Sequence, residues 1–340
     1  MVIFMKNSKS SRVDYTLLVL VFLLVVWGLV LLFSTSAYNG RVKFHDSAYY
    51  FKKQLFATVL GFFAMYFVSQ VDYHRLLRFA PALYGVSLLL SLAVLFFGDE
   101  YNGSKRWLSL GPLSFQPSEF AKVAVILFLA CLIDRSKRKT TSIWFMLMIM
   151  ISILPIVGLV GSNNLSTAII ILGIAVITIF VSNPRYLPFI GIVAIFLSLE
   201  SYRLERLAIW RNPEAYEKGF QTIQGLYAIG SGGIFGKGLG SSLQKLGFVP
   251  EAQNDMIFSI ICEETGLVGA SLVILLFVLL VWRLMVISTH ASDLSGALIA
   301  AGIMGHMAIQ VILNIAVVTN TIPNTGITLP FISYGGTSVL

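Results

Sequence analysis

The sequence predicts an all-α polytopic membrane protein. Hydrophobic residues make up 57% of the 340 residues and charged residues only 12%, and the mean hydropathy is +0.84. Apolar runs approach twenty residues along the whole chain, the length that a helix needs to cross about 30 Å of hydrocarbon. A chain of this composition has too few polar residues to cover its surface as a soluble globule.

Nine apolar segments are predicted as membrane-spanning helices of a single domain over residues 1–340. They are residues 13–36, 54–69, 77–98, 118–133, 143–161, 165–182, 186–202, 256–286 and 295–320. A tenth span is predicted to begin near Leu329. Because Leu340 comes too soon for that helix to cross the membrane, we expect the natural protein to be longer.

The positions of Lys and Arg predict a cytoplasmic N-terminus. Eleven basic residues then lie in cytoplasmic connections and six in short connections on the other side, as the positive-inside rule requires. The cytoplasmic set is Lys6, Lys9, Arg12, Arg75, Arg78, Arg135, Lys137, Arg138, Lys139, Arg185 and Arg283; the other set is Arg41, Lys43, Lys52, Lys53, Lys105 and Arg106. The segment 203–255 is left out of the count, since long loops translocate largely regardless of charge, and it then lies outside.

The net charge and the cysteines exclude several classes of function. The net charge of +8 is accounted for by orientation signals such as RSKRK and, secondarily, by contact with anionic lipids, so no nucleic-acid partner is predicted. Cys131 and Cys262 lie in apolar segments and no CxxC occurs. Neither a disulfide framework nor a thiolate metal site is therefore predicted.

The most informative polar segment is residues 203–255, predicted to be a large extracytoplasmic loop between spans seven and eight. It ends in PEAQND, directly before the apolar MIFSIIC, which places Asp255 at the outer water–lipid boundary. A carboxylate there either caps the following helix, where the macrodipole stabilises it, or acts as a general base or a ligand for a divalent cation. Both interpretations stay open at this point.

The same segment contains the glycine-rich stretch GSGGIFGKGLG. Its spacing matches neither of the common nucleotide-binding motifs. It is interpreted either as a packed segment of tight turns or as a backbone site that contacts phosphate.

Residues 105–122, KRWLSLGPLSFQPSEFAK, form a second candidate site. Lys105, Arg106 and Trp107 are typical of an interfacial anchor, and their functional interpretation is a clamp for an anionic headgroup. Pro117 suits the first turn of the next helix. Glu119 and Lys122 lie three residues apart on one helix face, which favours a structural ion pair over a catalytic role.

A third group of polar residues lies inside the later spans: Glu263, Glu264, His306, Gln310 and Asn314. Acids within a membrane span are functional candidates by default. The 306, 310, 314 spacing marks one helix face, for which hydrogen bonding between helices is favoured over a proton relay.

Three strings together resemble a known family: KRWLSLGPLSFQPSEFAK, the stretch from KGFQTIQG to PEAQNDMIFSIICEETGLVGA, and NTGITLPFISYGGTS. They are similar, in this order and over nearly the whole chain, to the SEDS proteins, the shape, elongation, division and sporulation family that includes FtsW, RodA and SpoVE. The strings resemble the FtsW/SpoVE branch most. The resemblance implies a ten-span helix bundle, truncated here in its last span, and peptidoglycan glycosyltransferase activity on lipid II.

The resemblance also implies roles for individual residues. The essential acid of the family corresponds to Asp255, its Arg-Trp pair to Arg106 and Trp107, and its intramembrane Glu and Lys to Glu119 and Lys122. Where many members have Pro-Asp-Leu-Gly-Thr, this chain has Asn163 to Thr167, so a negative charge is missing there, although Asn164 can still accept a hydrogen bond.

The mechanism that follows is hexosyl transfer between two lipid-linked disaccharides. Asp255 is predicted to take the proton of the acceptor 4-hydroxyl. Basic residues are predicted to bind substrate and neutralise the pyrophosphate, with or without a divalent cation such as Mg²⁺ or Mn²⁺, for which Asp255 is the candidate ligand, and no organic cofactor is expected. These residues are Lys105, Arg106, Arg211, Lys218 and Lys245. Trp107, Glu119 and Lys122 are predicted to bind substrate as well, as the resemblance implies.

The predicted location is the bacterial cytoplasmic membrane. The resemblance implies a class B penicillin-binding protein transpeptidase as partner, together with the division or sporulation machinery. The alternative function is a flippase that moves lipid II across the bilayer, which the many spans and the intramembrane acids would also suit.

Overall fold

The computed structural model describes residues 13–101, 104–110, 113–136, 142–182 and 203–335, and these are mainly helical. The helices are α1 (Tyr15–Phe44), α2 (Tyr49–Ser69), α3 (Tyr73–Phe97), α4 (Pro117–Arg135), α5 (Ile143–Gly161), α6 (Leu165–Ser182), α7 (Arg203–Arg211), α8 (Phe220–Gly232), α9 (Ile257–Thr289) and α10 (Leu294–Val318). Two single turns of 3₁₀ helix, Pro213–Ala215 and Glu217–Gly219, join α7 to α8.

The predicted fold class is confirmed. Seven of the described helices, all but α4, α7 and α8, are long and apolar enough to cross a membrane, so the chain is an integral membrane protein. Helix α4 is 19 residues long and carries charged residues near both ends. The predicted span 186–202 lies outside the described residues.

Two local features differ from the prediction. A small antiparallel sheet of β1 (Asp99–Tyr101), β2 (Ser104–Leu110) and β3 (Leu113–Phe115) precedes α4, because this short polar connection pairs with itself between two helices. No helix begins at Leu329 among the described residues. Residues 329–335 instead form turns, in which Ser333 N–H donates to Leu329 O at 3.0 Å and Tyr334 N–H to Gln253 O at 2.8 Å.

The chain divides into two compact units. The first comprises Met1–Tyr15, Met65–Leu199 and Val281–Ile309, and the second comprises Thr16–Ala64, Glu200–Leu280 and Gln310–Leu340. The single domain over residues 1–340 stays a prediction.

Helices α3 to α6 and the first half of α10 build the apolar core of the first unit. Tyr84 on α3 donates to Ser152 O on α5 at 2.6 Å. Gly302 lets α10 approach Ile126 of α4, since a β-carbon at this glycine would lie 2.8 Å from the isoleucine side chain. Close packing of this kind, through small residues, is how helices associate in a membrane.

In the second unit, helix α9 is broken at Gly266, where φ is +66° and ψ −167°. A break of this kind frees the carbonyls of Glu263 and Glu264 and the N–H groups of Leu267 and Val268. All four find partners in the glycine-rich stretch. Lys237 N–H and Gly238 N–H donate to the two carbonyls at 2.9 Å each, and Gly233 O and Ile234 O accept from the two N–H groups at 2.9 and 3.1 Å.

The glycine-rich stretch is therefore a packed segment of turns, as one of the two sequence interpretations held. Its N–H groups at Gly236, Lys237, Gly238 and Gly240 already donate to protein oxygens, which leaves these four unavailable to a phosphate. The segment 203–255 is not a simple surface loop, because this part of it fills the break in α9.

Replacing Gly266 by alanine should destabilise the protein by more than about 2 kcal/mol, because an L-residue is strained at this φ and its β-carbon would lie 2.4 Å from Ile234 O. The matched control is Gly230→Ala in α8, where a β-carbon meets nothing within 4 Å. That change should be neutral or should stabilise the protein by up to about 1 kcal/mol. Unfolding of the purified variants in detergent would compare them, and equal stability would contradict the packing described.

Candidate active site

Asp255 lies two residues before the first residue of α9 and is 8% exposed. Its carboxylate oxygens accept from Gln221 Nε2 at 3.4 and 3.5 Å, and its main-chain carbonyl accepts from Asn314 Nδ2 at 2.9 Å. The position next to the helix N-terminus favours an ionised carboxylate. A nearly buried acid held at both its side chain and its main chain is suited to act on a substrate at a fixed position.

The segment that contains Asp255 is bound by the segment that follows α10. Asn314 Nδ2 also donates to Ile327 O at 2.7 Å, and Ser333 Oγ donates to Asn254 O at 2.6 Å. Gln310 Nε2 donates to Thr328 O at 3.1 Å. Gln310 and Asn314 do form hydrogen bonds, but these partners are main-chain carbonyls of the turn at Asp255 and of the segment after α10. For these contacts, the prediction that the two residues join helices is wrong.

Two buried ion pairs lie further along α9. Glu263 accepts from Lys237 Nζ at 2.8 Å and from Ser242 Oγ at 2.5 Å. Glu264 accepts from Lys245 Nζ at 2.6 Å and from Ser34 Oγ, on α1, at 2.8 and 2.6 Å. Lys237 belongs to the glycine-rich stretch that fills the helix break, and Lys245 follows that stretch closely in the chain. The two pairs therefore hold this part of the segment 203–255 against α9.

In the first unit, the structure places Lys105, Arg106 and Trp107 on β2. Arg106 Nε donates to Asn163 O at 3.3 Å. Lys105 and Arg106 line a small cavity of about 20 Å³ together with Pro117, Ser118, Leu159, Val160, Ser91, Val94, Asn163 and Asn164. This volume holds about one water molecule.

The Glu119–Lys122 ion pair predicted from the sequence is confirmed. Lys122 Nζ lies 2.8 Å from Glu119 Oε2, and the lysine side chain is 1% exposed. Pro117 is the first residue of α4, as predicted. Asn164 Oδ1 accepts from Thr167 N–H at 3.2 Å and so caps α6, which confirms its role as a neutral acceptor.

The other predicted substrate-binding residues are in the second unit. Arg211 is exposed at the end of α7, and Lys218 lies in the 3₁₀ turn before α8. Lys245 is buried, and its charge is already balanced by Glu264. The roles predicted for these residues and for Asp255 stay predictions. Among the described residues, no cluster of three or more His, Cys, Asp or Glu side chains could hold a metal ion.

Sequence reasoning missed two residues that contact the predicted acids, Gln221 and Lys237, and a third, Asn324, that contacts Gln221. Gln221 and Asn324 form a hydrogen-bonded chain to Asp255, and Lys237 neutralises Glu263. The sequence did contain a signal for Lys237. A carboxylate inside an apolar span, such as that of Glu263, requires a cation, and Lys237 lies in the glycine-rich stretch that precedes this span. No local pattern marks Gln221 or Asn324.

The chain is similar to known proteins over nearly its whole length. The FtsW/RodA/SpoVE family model, described as cell cycle protein, matches residues 15–340. Stage V sporulation protein E of Bacillus subtilis is 39% identical over 98% of this chain and 94% of its own length. A protein of Trichlorobacter lovleyi named probable peptidoglycan glycosyltransferase FtsW is 36% identical over 98% of this chain and 91% of its own.

Two solved structures are also similar. A chain from a peptidoglycan synthase complex, whose structure concerns the coordination of polymerization and crosslinking, has a TM-score of 0.80 and 30% identity, covering 97% of this chain and 94% of that one. The rod shape determining protein RodA of Thermus thermophilus has a TM-score of 0.74 and 29% identity, covering 96% and 92%. This chain belongs to the FtsW/RodA/SpoVE family.

Proposed function

We propose that this protein is a peptidoglycan glycosyltransferase that polymerises lipid II on the outer face of the bacterial cytoplasmic membrane. The observation that carries the proposal is Asp255, a nearly buried carboxylate at the start of α9 in a chain whose relatives include proteins named probable peptidoglycan glycosyltransferase. The chain is similar both to stage V sporulation protein E and to proteins named probable peptidoglycan glycosyltransferase FtsW, and septal wall synthesis is the role that we propose.

The proposed step is a single displacement at an anomeric carbon. Asp255 accepts the proton of the 4-hydroxyl of one lipid-linked disaccharide as the hydroxyl oxygen attacks the anomeric carbon of the other chain. The new glycosidic bond forms as the bond to the pyrophosphate oxygen breaks, and undecaprenyl pyrophosphate leaves. One displacement inverts the configuration at that carbon.

The departing pyrophosphate requires positive charge nearby. We propose Arg211 and Lys218, which belong to the same unit as Asp255, for this role. The roles that the resemblance implies for Lys105, Arg106 and Trp107 stay predictions. Lys245 is less suited, because Glu264 already balances its charge. The described residues contain no cluster of three or more His, Cys, Asp or Glu side chains. A divalent cation would therefore be bound mainly by the phosphates of the substrate, with Asp255 as the candidate protein ligand.

The proposed orientation places the N-terminus in the cytoplasm and Asp255 outside, as the basic residues in the connections indicate. A class B penicillin-binding protein is the proposed partner. The support is the likeness to a chain from a peptidoglycan synthase complex in which polymerization and crosslinking are coordinated.

The proposal is tested with the purified protein in detergent and fluorescently labelled lipid II, with and without a class B penicillin-binding protein. We expect glycan chains, resolved as a ladder by gel electrophoresis. Detergent micelles have no sides, so a flippase has nothing to transport there. If no polymer formed in either mixture and the protein moved labelled lipid II across vesicle membranes, the alternative function as a flippase would replace this one.

A further inference from the structure

We propose that Gln221 is a positioning residue for Asp255 and that Asn324 fixes the orientation of the Gln221 amide. The inference rests on the proposed function, since it assigns Asp255 the role of base. It adds to that function two residues outside the group of acids and cations predicted from the sequence.

The first support is the contact itself. Gln221 Nε2 lies 3.4 Å from one carboxylate oxygen of Asp255 and 3.5 Å from the other. The same nitrogen lies 3.5 Å from Pro250 O. An amide nitrogen placed between both oxygens approaches the carboxylate from one side and restricts its rotation.

The second support is that only one orientation of the Gln221 amide satisfies its neighbours. Gly326 N–H donates to Asn324 Oδ1 at 3.1 Å, which leaves Asn324 Nδ2 to donate to Gln221 Oε1 at 3.3 Å. Because the amide oxygen of Gln221 faces this donor, its NH₂ group faces Asp255. The main-chain N–H of Gly326 thus sets the direction of the whole chain of hydrogen bonds.

The third support is the packing that holds Gln221 in place. Gln221, Gly225, Ala228 and Gly232 recur at the spacing of one face of α8. At Gly225 a β-carbon would lie 2.4 Å from the Met256 side chain, and at Gly232 it would lie 2.0 Å from Cys262 O. These two glycines let α8 pack closely along the start of α9, next to Asp255.

Asn324 is anchored in turn. Its main-chain carbonyl accepts from Arg206 Nη1 at 2.9 Å, and Trp210 Nε1 donates to Asn320 O, also at 2.9 Å. Helix α7 therefore holds the segment from Asn320 to Asn324. In the hydrogen-bonded chain, α7 therefore holds Asn324 in place and α8 holds Gln221.

The chemical consequence concerns the base. A hydrogen bond donated to a carboxylate favours its ionised form, the form that accepts a proton. The donor is neutral, so it does not form an ion pair that would compete with the substrate hydroxyl. Gln221 should therefore act on turnover rather than on binding of lipid II.

The test is Gln221→Met, which has a similar size and no donor. We expect kcat for polymerisation to fall about 10- to 100-fold, as for a lost hydrogen bond to a charged group, with KM for lipid II within about twofold of wild type. Gln221→Glu should lose more, because a second carboxylate would face Asp255. Gln224→Met, the same substitution one turn further along α8, is the matched control and should leave kcat unchanged.

A second arm uses Asn324→Ala. This variant should lower kcat on its own and have no further effect in the Gln221→Met protein, because the two residues act through one chain of hydrogen bonds. If wild type polymerises lipid II and folded Gln221→Met has the same kcat, the inference is overturned and the proposed function stands. Additive losses of the two variants would also overturn it. A wild-type protein that makes no polymer overturns the function and this inference together.

Discussion

Asp255→Asn should abolish the polymerisation of lipid II while the protein remains folded in the membrane. Asparagine has nearly the same shape as aspartate but cannot accept the hydroxyl proton. General-base catalysis typically contributes about 10²- to 10⁴-fold to a rate, so we expect at least a loss of about 100-fold. The measurement is the initial rate of glycan formation from labelled lipid II by purified variants at equal concentration.

The structure also explains why folding should survive this change. The main-chain carbonyl of Asp255, which Asn314 binds, is unaltered by the substitution. An asparagine side chain can still accept from Gln221 through its oxygen. Thermal unfolding in detergent should therefore differ from wild type by only a few degrees, and this result is needed before loss of activity is attributed to chemistry.

Glu217→Gln is the matched control. It removes a carboxylate from the same segment, at an exposed position before α8, and should leave the rate unchanged. Polymerisation by Asp255→Asn at the wild-type rate would contradict the assignment of Asp255 as the base. An equal loss in both variants would mean that the charge of the segment, rather than this carboxylate, is required.

The membrane helices could be predicted from the sequence because their signal is local. A run such as residues 165–182 is apolar over its whole length, and its span is determined by the thickness of the bilayer. A helix start could also be predicted where proline occupies the first turn, as Pro117 does in α4. The small sheet before α4 was missed because its strands are only three to seven residues long.

The break in α9 could not be predicted, because it depends on a distant segment. Glu263, Glu264 and Thr265 precede Gly266 and an apolar run follows it, and neither feature marks a break in a helix. Glycine also occurs within intact helices elsewhere in the chain, as at Gly230 in α8. Only the structure reveals that Gly233, Ile234, Lys237 and Gly238 satisfy the main-chain groups that the break exposes.

The candidate site could be predicted only in part, because some of its contacts also join distant segments. Asp255 was identifiable from its place before an apolar run and from the string around it. Gln221 precedes it by 34 residues, and Asn324 follows it beyond the whole of α9 and α10, so their contact with it depends on how the segments pack. A neutral amide also carries no charge pattern that would mark it in a sequence.

Removing Lys245 should have the largest effect on stability among the basic residues of the segment 203–255. Its ammonium lies 2.6 Å from Glu264 Oε1, and its side chain is 7% exposed against 0% for the glutamate. Lys245→Met would leave the carboxylate buried without its cation. Breaking a buried pair in this way typically costs about 3–5 kcal/mol. Denaturant unfolding in mixed micelles would measure the loss.

Lys237→Met is the matched control and should cost less. The Lys237 side chain is 34% exposed. Its partner Glu263 would also keep the hydroxyl of Ser242 and the main-chain N–H of Leu243 as donors. Glu264, in contrast, would keep only the hydroxyl of Ser34 among the donors found in the described structure.

The double variant Lys245→Met with Glu264→Gln separates the charge from the packing. The introduced glutamine amide could still accept from Ser34, and no unpaired charge would remain. Replacement of a whole buried pair is often neutral, so most of the stability lost in Lys245→Met should return. A double variant as unstable as the sum of the two single ones would mean that Lys245 contributes through its packing. If a stable double variant still polymerised lipid II, the ion pair would hold the segment 203–255 against α9 without taking part in the chemistry at Asp255.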